Sequence, residues 1–83
     1  MIQVIRVDGS TEELASLTLE KAQKIVGGYV ESFRLGPSRK LLMNEEGRIH
    51  GLPTNFAVET EIGQDYSVVG DVILLTGKDT RKW

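Results

Sequence analysis

Asp71-Val72-Ile73-Leu74-Leu75-Thr76, late in this 83-residue chain, is an almost unbroken apolar run of strand length. A strand wetted on one face alternates apolar and polar residues, whereas one covered on both faces does not. The run therefore predicts a central, doubly buried strand, ended by Gly77. One domain has to be built around it, because domains typically hold about 100–150 residues and this chain is too short for two.

A core of this size is thin, since a chain this short buries only about 60–65% of the surface it exposes when unfolded. Small domains commonly gain support from disulfides, metals or self-association. The chain has no cysteine and a single histidine, His50, which removes disulfides and leaves no set of zinc ligands. Self-association remains, and a homo-oligomer is expected. With 10 basic against 12 acidic residues, the net charge is −2. Nucleic-acid binders usually carry a basic excess or stripe, so DNA is not the expected partner. Met1-Ile2-Gln3-Val4-Ile5-Arg6 reads as a strand rather than a secretory leader, and no apolar run approaches the ~20 residues of a membrane span. A cytoplasmic protein with no membrane partner is the expectation.

The remaining elements follow from period and punctuation. The opening strand ends at Asp8-Gly9, a hairpin dipeptide, so Glu13–Leu17 is read as a return strand, with a helical reading of residues 10–17 left open. Thr18 is an N-cap, and Leu19, Ala22, Ile25 and Val26 recur at helical spacing until Gly27-Gly28 stops the helix. The period then becomes two over Tyr29–Leu35, Gly36-Pro37-Ser38 turns the chain, and Lys40–Met43 returns. Asn44-Glu45-Glu46-Gly47 is a turn, read as placing positive φ at Gly47, and Arg48–Leu52 is read as a short strand. Residues 54–62 fit either a helix or a strand. The expected fold class is α+β: a mostly antiparallel sheet of four or five strands with one short helix packed on one face. Ile2, Val4, Phe33, Leu42, Ile73 and Leu75 line the sheet's side of the core. Residues 1–77 form the domain, and 78–83 a charged tail, mobile unless Trp83 docks.

Three stretches carry a family likeness: Val26-Gly27-Gly28-Tyr29-Val30-Glu31, Asn44-Glu45-Glu46-Gly47 and Gly51-Leu52-Pro53-Thr54-Asn55. In this order, after a Met-Ile-x-Val-Ile opening and before Val68-Val69-Gly70-Asp71-Val72-Ile73, the chain resembles a small-domain family of unknown function. That family is met mostly in bacteriophages, prophages and plasmids. The likeness runs from Ile2 to Gly77, with Asp8–Leu17 departing from it in weaker alternation. The family has no chemistry to transfer. The resemblance implies a setting, a small accessory protein of a virus or mobile element inside a bacterial host.

No catalytic pattern emerges. His50 has no acid or nucleophile patterned around it, none of Ser10, Ser16, Ser32, Ser38 and Ser67 lies in a Gly-x-Ser-x-Gly context, and Glu45-Glu46 are turn neighbours. Gly27-Gly28 follow a helix, whereas phosphate loops precede one. The protein is therefore read as a non-enzyme without a cofactor. The two polar loops around residues 44–55 are the candidate binding region, with Asn44 and Asn55 supplying amides, Arg48 a guanidinium and Tyr29 an aromatic ring. Arg34 and Arg39, in a basic set around one hairpin, are added as anion-binding candidates. Such a mixture suits a nucleotide, so the leading expectation is sequestration of a nucleotide-derived host immune signal. The alternative is a protein–protein inhibitor of a host enzyme or defence complex, binding through an exposed strand edge. A replication accessory with weak DNA contact comes third.

Overall fold

In the computed structural model, which describes residues 1–63 and 67–83, the apolar run is the middle strand of a five-stranded antiparallel sheet. The strands are β1 (Ile2–Ile5), β2 (Thr11–Leu14), β3 (Val30–Gly36), β4 (Arg39–Asn44) and β5 (Val72–Thr76), in the spatial order β2-β1-β5-β4-β3. Two sequence-local hairpins are thus joined edge to edge by the last strand. Helix α1 (Leu19–Val26) follows β2, helix α2 (Phe56–Ile62) lies between β4 and β5, and a 3-10 helix (Gly77–Lys82) follows β5.

Alternation along β5 shows why it lacks a polar face. Ile73 and Leu75 join Ile2, Val4, Leu42 and Ala22 of α1 in one buried cluster, with Ile25 and Trp83 packed against it. Val72 and Leu74 join Ile5, Leu41, Val68 and Val58 of α2 in a second. The sheet is therefore covered on both sides, and α2 adds a layer to the single expected helix. Within residues 54–62, Phe56–Ile62 is helix, and the Asn55 side chain accepts from the Val58 amide and caps its first turn. Trp83 docks on the α1 side, Thr80 beside it is buried, and Asp79 accepts from the Met1 ammonium at 2.7 Å.

Several local expectations are corrected. The return strand is Thr11–Leu14, not Glu13–Leu17, because residues 6–10 close a tight loop: Gly9 N–H donates to Arg6 O, and Arg6 N–H to Ser10 O. Pairing then begins at Ile5 with Thr11. Leu19 is 56% exposed although its spacing is that of a core position. Leu17, just before the Thr18 cap, packs on the cluster that holds Ala22, and this staple across the helix start places Leu19 outside it. Phe33 is 41% exposed, because β3 is an edge strand and half of each edge residue's surroundings is open. Arg48–Leu52 is not a strand. His50 N–H donates to Glu46 O, Gly51 N–H to Arg48 O and Leu52 N–H to Gly47 O, so local turns take the hydrogen bonds a ladder would need.

Candidate functional site

The two amides picked out in the sequence both hold backbone. Asn55 has no exposed surface, and its Nδ2 donates to Ile5 O at 2.9 Å and Gly70 O at 2.8 Å while Oδ1 accepts from Val58 N–H at 3.0 Å. One side chain thereby ties β1, the approach to β5 and the start of α2 together. Asn44, 8% exposed, donates from Nδ2 to Val26 O at the end of α1 and accepts at Oδ1 from Glu46 N–H. Nothing with a Cβ fits easily opposite it: a Cβ on Gly28 would lie 3.0 Å from Asn44 Nδ2. This approach is a physical reason for a second glycine after the Gly27 cap, whose φ is 84°.

Gly47 is also set by space rather than dihedral. Its φ is not positive, contrary to the expectation from the turn sequence; instead a Cβ there would meet Val69 Cγ2 at 2.9 Å. That contact seats residues 45–49 against 67–69 and closes one side of a cleft of about 290 Å³. Its other wall comes from the sheet edge, where Glu31 of β3 faces Met43 of β4. Glu45, Glu46, Arg48 and Ile49 form the rim, with Val68 and Val69 at the back. The Arg48 guanidinium donates to Ser67 O at 2.8 Å, which turns part of its donor fork toward the protein. Ile49 is 80% exposed.

The cleft lining carries three carboxylates, Glu31, Glu45 and Glu46, against one guanidinium. That acidic excess equals the whole chain's net charge of −2, so the residues outside the cleft are balanced in sign. His50 lies on the same turn with Nε2 4.0 Å from Glu46 Oε1, both side chains about half exposed. Among the described residues, no group of three or more His, Asp or Glu side chains is arranged to hold a metal ion, and no helix is long and apolar enough to cross a membrane.

Of the six residues expected to bind a ligand, the structure brings only Asn44 and Arg48 to this cleft. Asn55 is fully buried and does not line the cleft. Tyr29 is 68% exposed, and it is its carbonyl, accepting from Glu45 N–H, that supports the rim. Arg34 pairs with Lys40 in the register that places both on the α1 side, whereas Arg39 lies on the α2 side and donates to Glu61 O at 3.5 Å. The basic set is thus divided by the sheet. Glu31 was not among the sequence candidates. The available signal was its place between Tyr29 and Phe33 on one strand face, a carboxylate where the neighbours at that period are aromatic.

Residues 2–82 match the model of a protein family described as a domain of unknown function, DUF3846. The chain belongs to the DUF3846 family. The match covers both hairpins, both helices and β5, so the fold described above is that of the matched DUF3846 region as a whole. No curated protein and no solved structure matches the chain.

Proposed function

We propose that this DUF3846 domain is a non-enzymatic accessory protein of a phage or related mobile element, acting in the bacterial cytoplasm by binding a host protein along β3. The observation that carries this reading is the outer flank of the sheet along β3. β3 is seven residues long, ends the strand order, and no described strand pairs with its outer side. Its outward backbone groups are a template for one more strand. The opposite edge, β2, has four residues, two of them Glu12 and Glu13, and charged side chains on a short strand discourage pairing. The phage setting rests on the resemblance of the glycine, Asn-Glu-Glu-Gly and Gly-Leu-Pro motifs described above.

Sequestration of a nucleotide-derived signal is the second reading, supported by Arg48 at the cleft rim. Three carboxylates around the same opening oppose a phosphate there, and Asn55, Arg34 and Arg39 lie elsewhere, so protein binding has the stronger support.

Tagged protein incubated in host lysate, with hydrogen exchange of the recovered complex, separates the two readings. A stoichiometric protein that slows exchange of amides 30–36 is the expected result. A melting-temperature shift with cyclic oligonucleotides or cyclic ADP-ribose variants, and no protein partner, would transfer the assignment to the second reading; a ligand at 100-fold its Kd stabilises by about 2.7 kcal/mol. Self-association through β3 is the competing use of the edge. Sedimentation, with protection of the same amides at high protein concentration, reports it.

A further inference from the structure

We infer that the segment added to β3 carries a lysine or arginine beside Glu31, and that this cationic side chain enters the cleft. The inference rests on the edge-binding reading above and adds the chemistry of the partner. Two separate features meet at Glu31: it belongs to the strand at the end of the sheet order, and it lines the cleft. On β3, Glu31, Phe33 and Leu35 share the α2 side, because Glu31 pairs with Met43 and Phe33 with Leu41, whose neighbours in the core are those of α2. The cleft opens on that same side.

An added strand lies about 4.8 Å from β3, and directly opposed residues of adjacent strands have Cβ atoms about 4.5–5.5 Å apart on the same face. The partner residue opposite Glu31 therefore projects beside the Glu31 carboxylate, at the mouth of the cleft. An aliphatic stem ending in a positive charge matches what lies there. Met43, Val69 and Ile49 offer apolar surface to the methylenes, and Glu31, Glu45 and Glu46 line the same cleft as carboxylates for the head group. Arg48, the single opposing charge, already donates to Ser67 O. An acidic side chain at that position meets three like charges, so the cleft discriminates by repulsion as well as by attraction.

The test uses two blocked nine-residue peptides of alternating valine and threonine, identical except for a central lysine or a central glutamate. Each is titrated to millimolar concentration into 15N-labelled full-length protein. The lysine peptide is expected to shift the amides of residues 30–36 and 45–49 and to bind at least tenfold more tightly than the glutamate peptide. E31K, at an exposed position that leaves the circular dichroism unchanged, should reverse that preference, and E45Q/E46Q should weaken lysine-peptide binding without moving the contact off β3. Equal binding of both peptides at β3, unaffected by E31K, overturns the cationic anchor while leaving edge binding intact. No perturbation of residues 30–36 by either peptide overturns the edge-binding reading itself.

Discussion

At the scale of single residues, the polar side chains that matter most to this fold are the two asparagines that sequence reading assigned to a ligand. An amide preceding a helix or ending a turn has the same local signature whether it faces solvent or backbone. What decides is burial, and Asn55 has partners 50 residues away at Ile5 and 15 away at Gly70. Asn55→Ala should strand two carbonyls and one helix-start amide away from water, a loss of about 2–4 kcal/mol readable in urea unfolding. Gly28→Ala, whose Cβ presses on Asn44 Nδ2 at 3.0 Å and strains its bond to Val26 O, should cost about 1–2 kcal/mol, and Asn44→Ala should partly mask it in a double-mutant cycle. Glu12 is the residue whose contribution depends on acidity. Its carboxyl accepts from the Arg6 guanidinium at 2.8 Å, which holds it below the ordinary carboxylate value. A folded-state value below the unfolded one means the contribution is complete above the unfolded value near pH 4 and disappears as pH falls through the folded one. The difference in melting temperature between the wild type and Glu12→Gln should therefore shrink between pH 6 and pH 3. A constant difference would show that the pair is not responsible.

At the scale of elements, legibility followed how much of the signal is local. The β5 run announced its own double burial, and Thr18 and Gly27 bracket α1 as capping chemistry requires. The hairpin turn at Gly36-Pro37-Ser38 was equally readable, since glycine and proline set backbone dihedrals independently of tertiary context. Residues 54–62 were not, because Phe56, Val58 and Thr60 alternate while an asparagine cap precedes them, and the cap prevails only with Val58 docked on the second cluster. The cleft was half legible. Its turn, residues 44–48, stood out, but the seating of that turn depends on Val69 meeting Gly47 across the fold, which no local pattern encodes. Ile73 is fully buried in the α1-side cluster, so Ile73→Ala should destabilise by about 2–5 kcal/mol. Native-state hydrogen exchange should show the β5 amides opening only with global unfolding and the outer amides of β3 exchanging fastest among the strands.

At the scale of the whole molecule, the two hairpins and the strand between them have different histories. Each hairpin pairs neighbours in sequence, β1 with β2 and β3 with β4, while β5 pairs Val4 with Ile73 and Leu42 with the same Ile73. The joining of the two hairpins is therefore delivered by a single late segment. A polypeptide emerging from the ribosome offers two half-sheets with unsatisfied inner borders, and these stay open until residues 72–76 have left the exit tunnel. Nascent chains arrested before that point should be cut readily by protease and recruit chaperones, and chains arrested behind an added linker that carries residues 72–76 out of the tunnel should resist. The sheet's assembly is in this sense a closing event, in which the fifth strand makes the first four into one object.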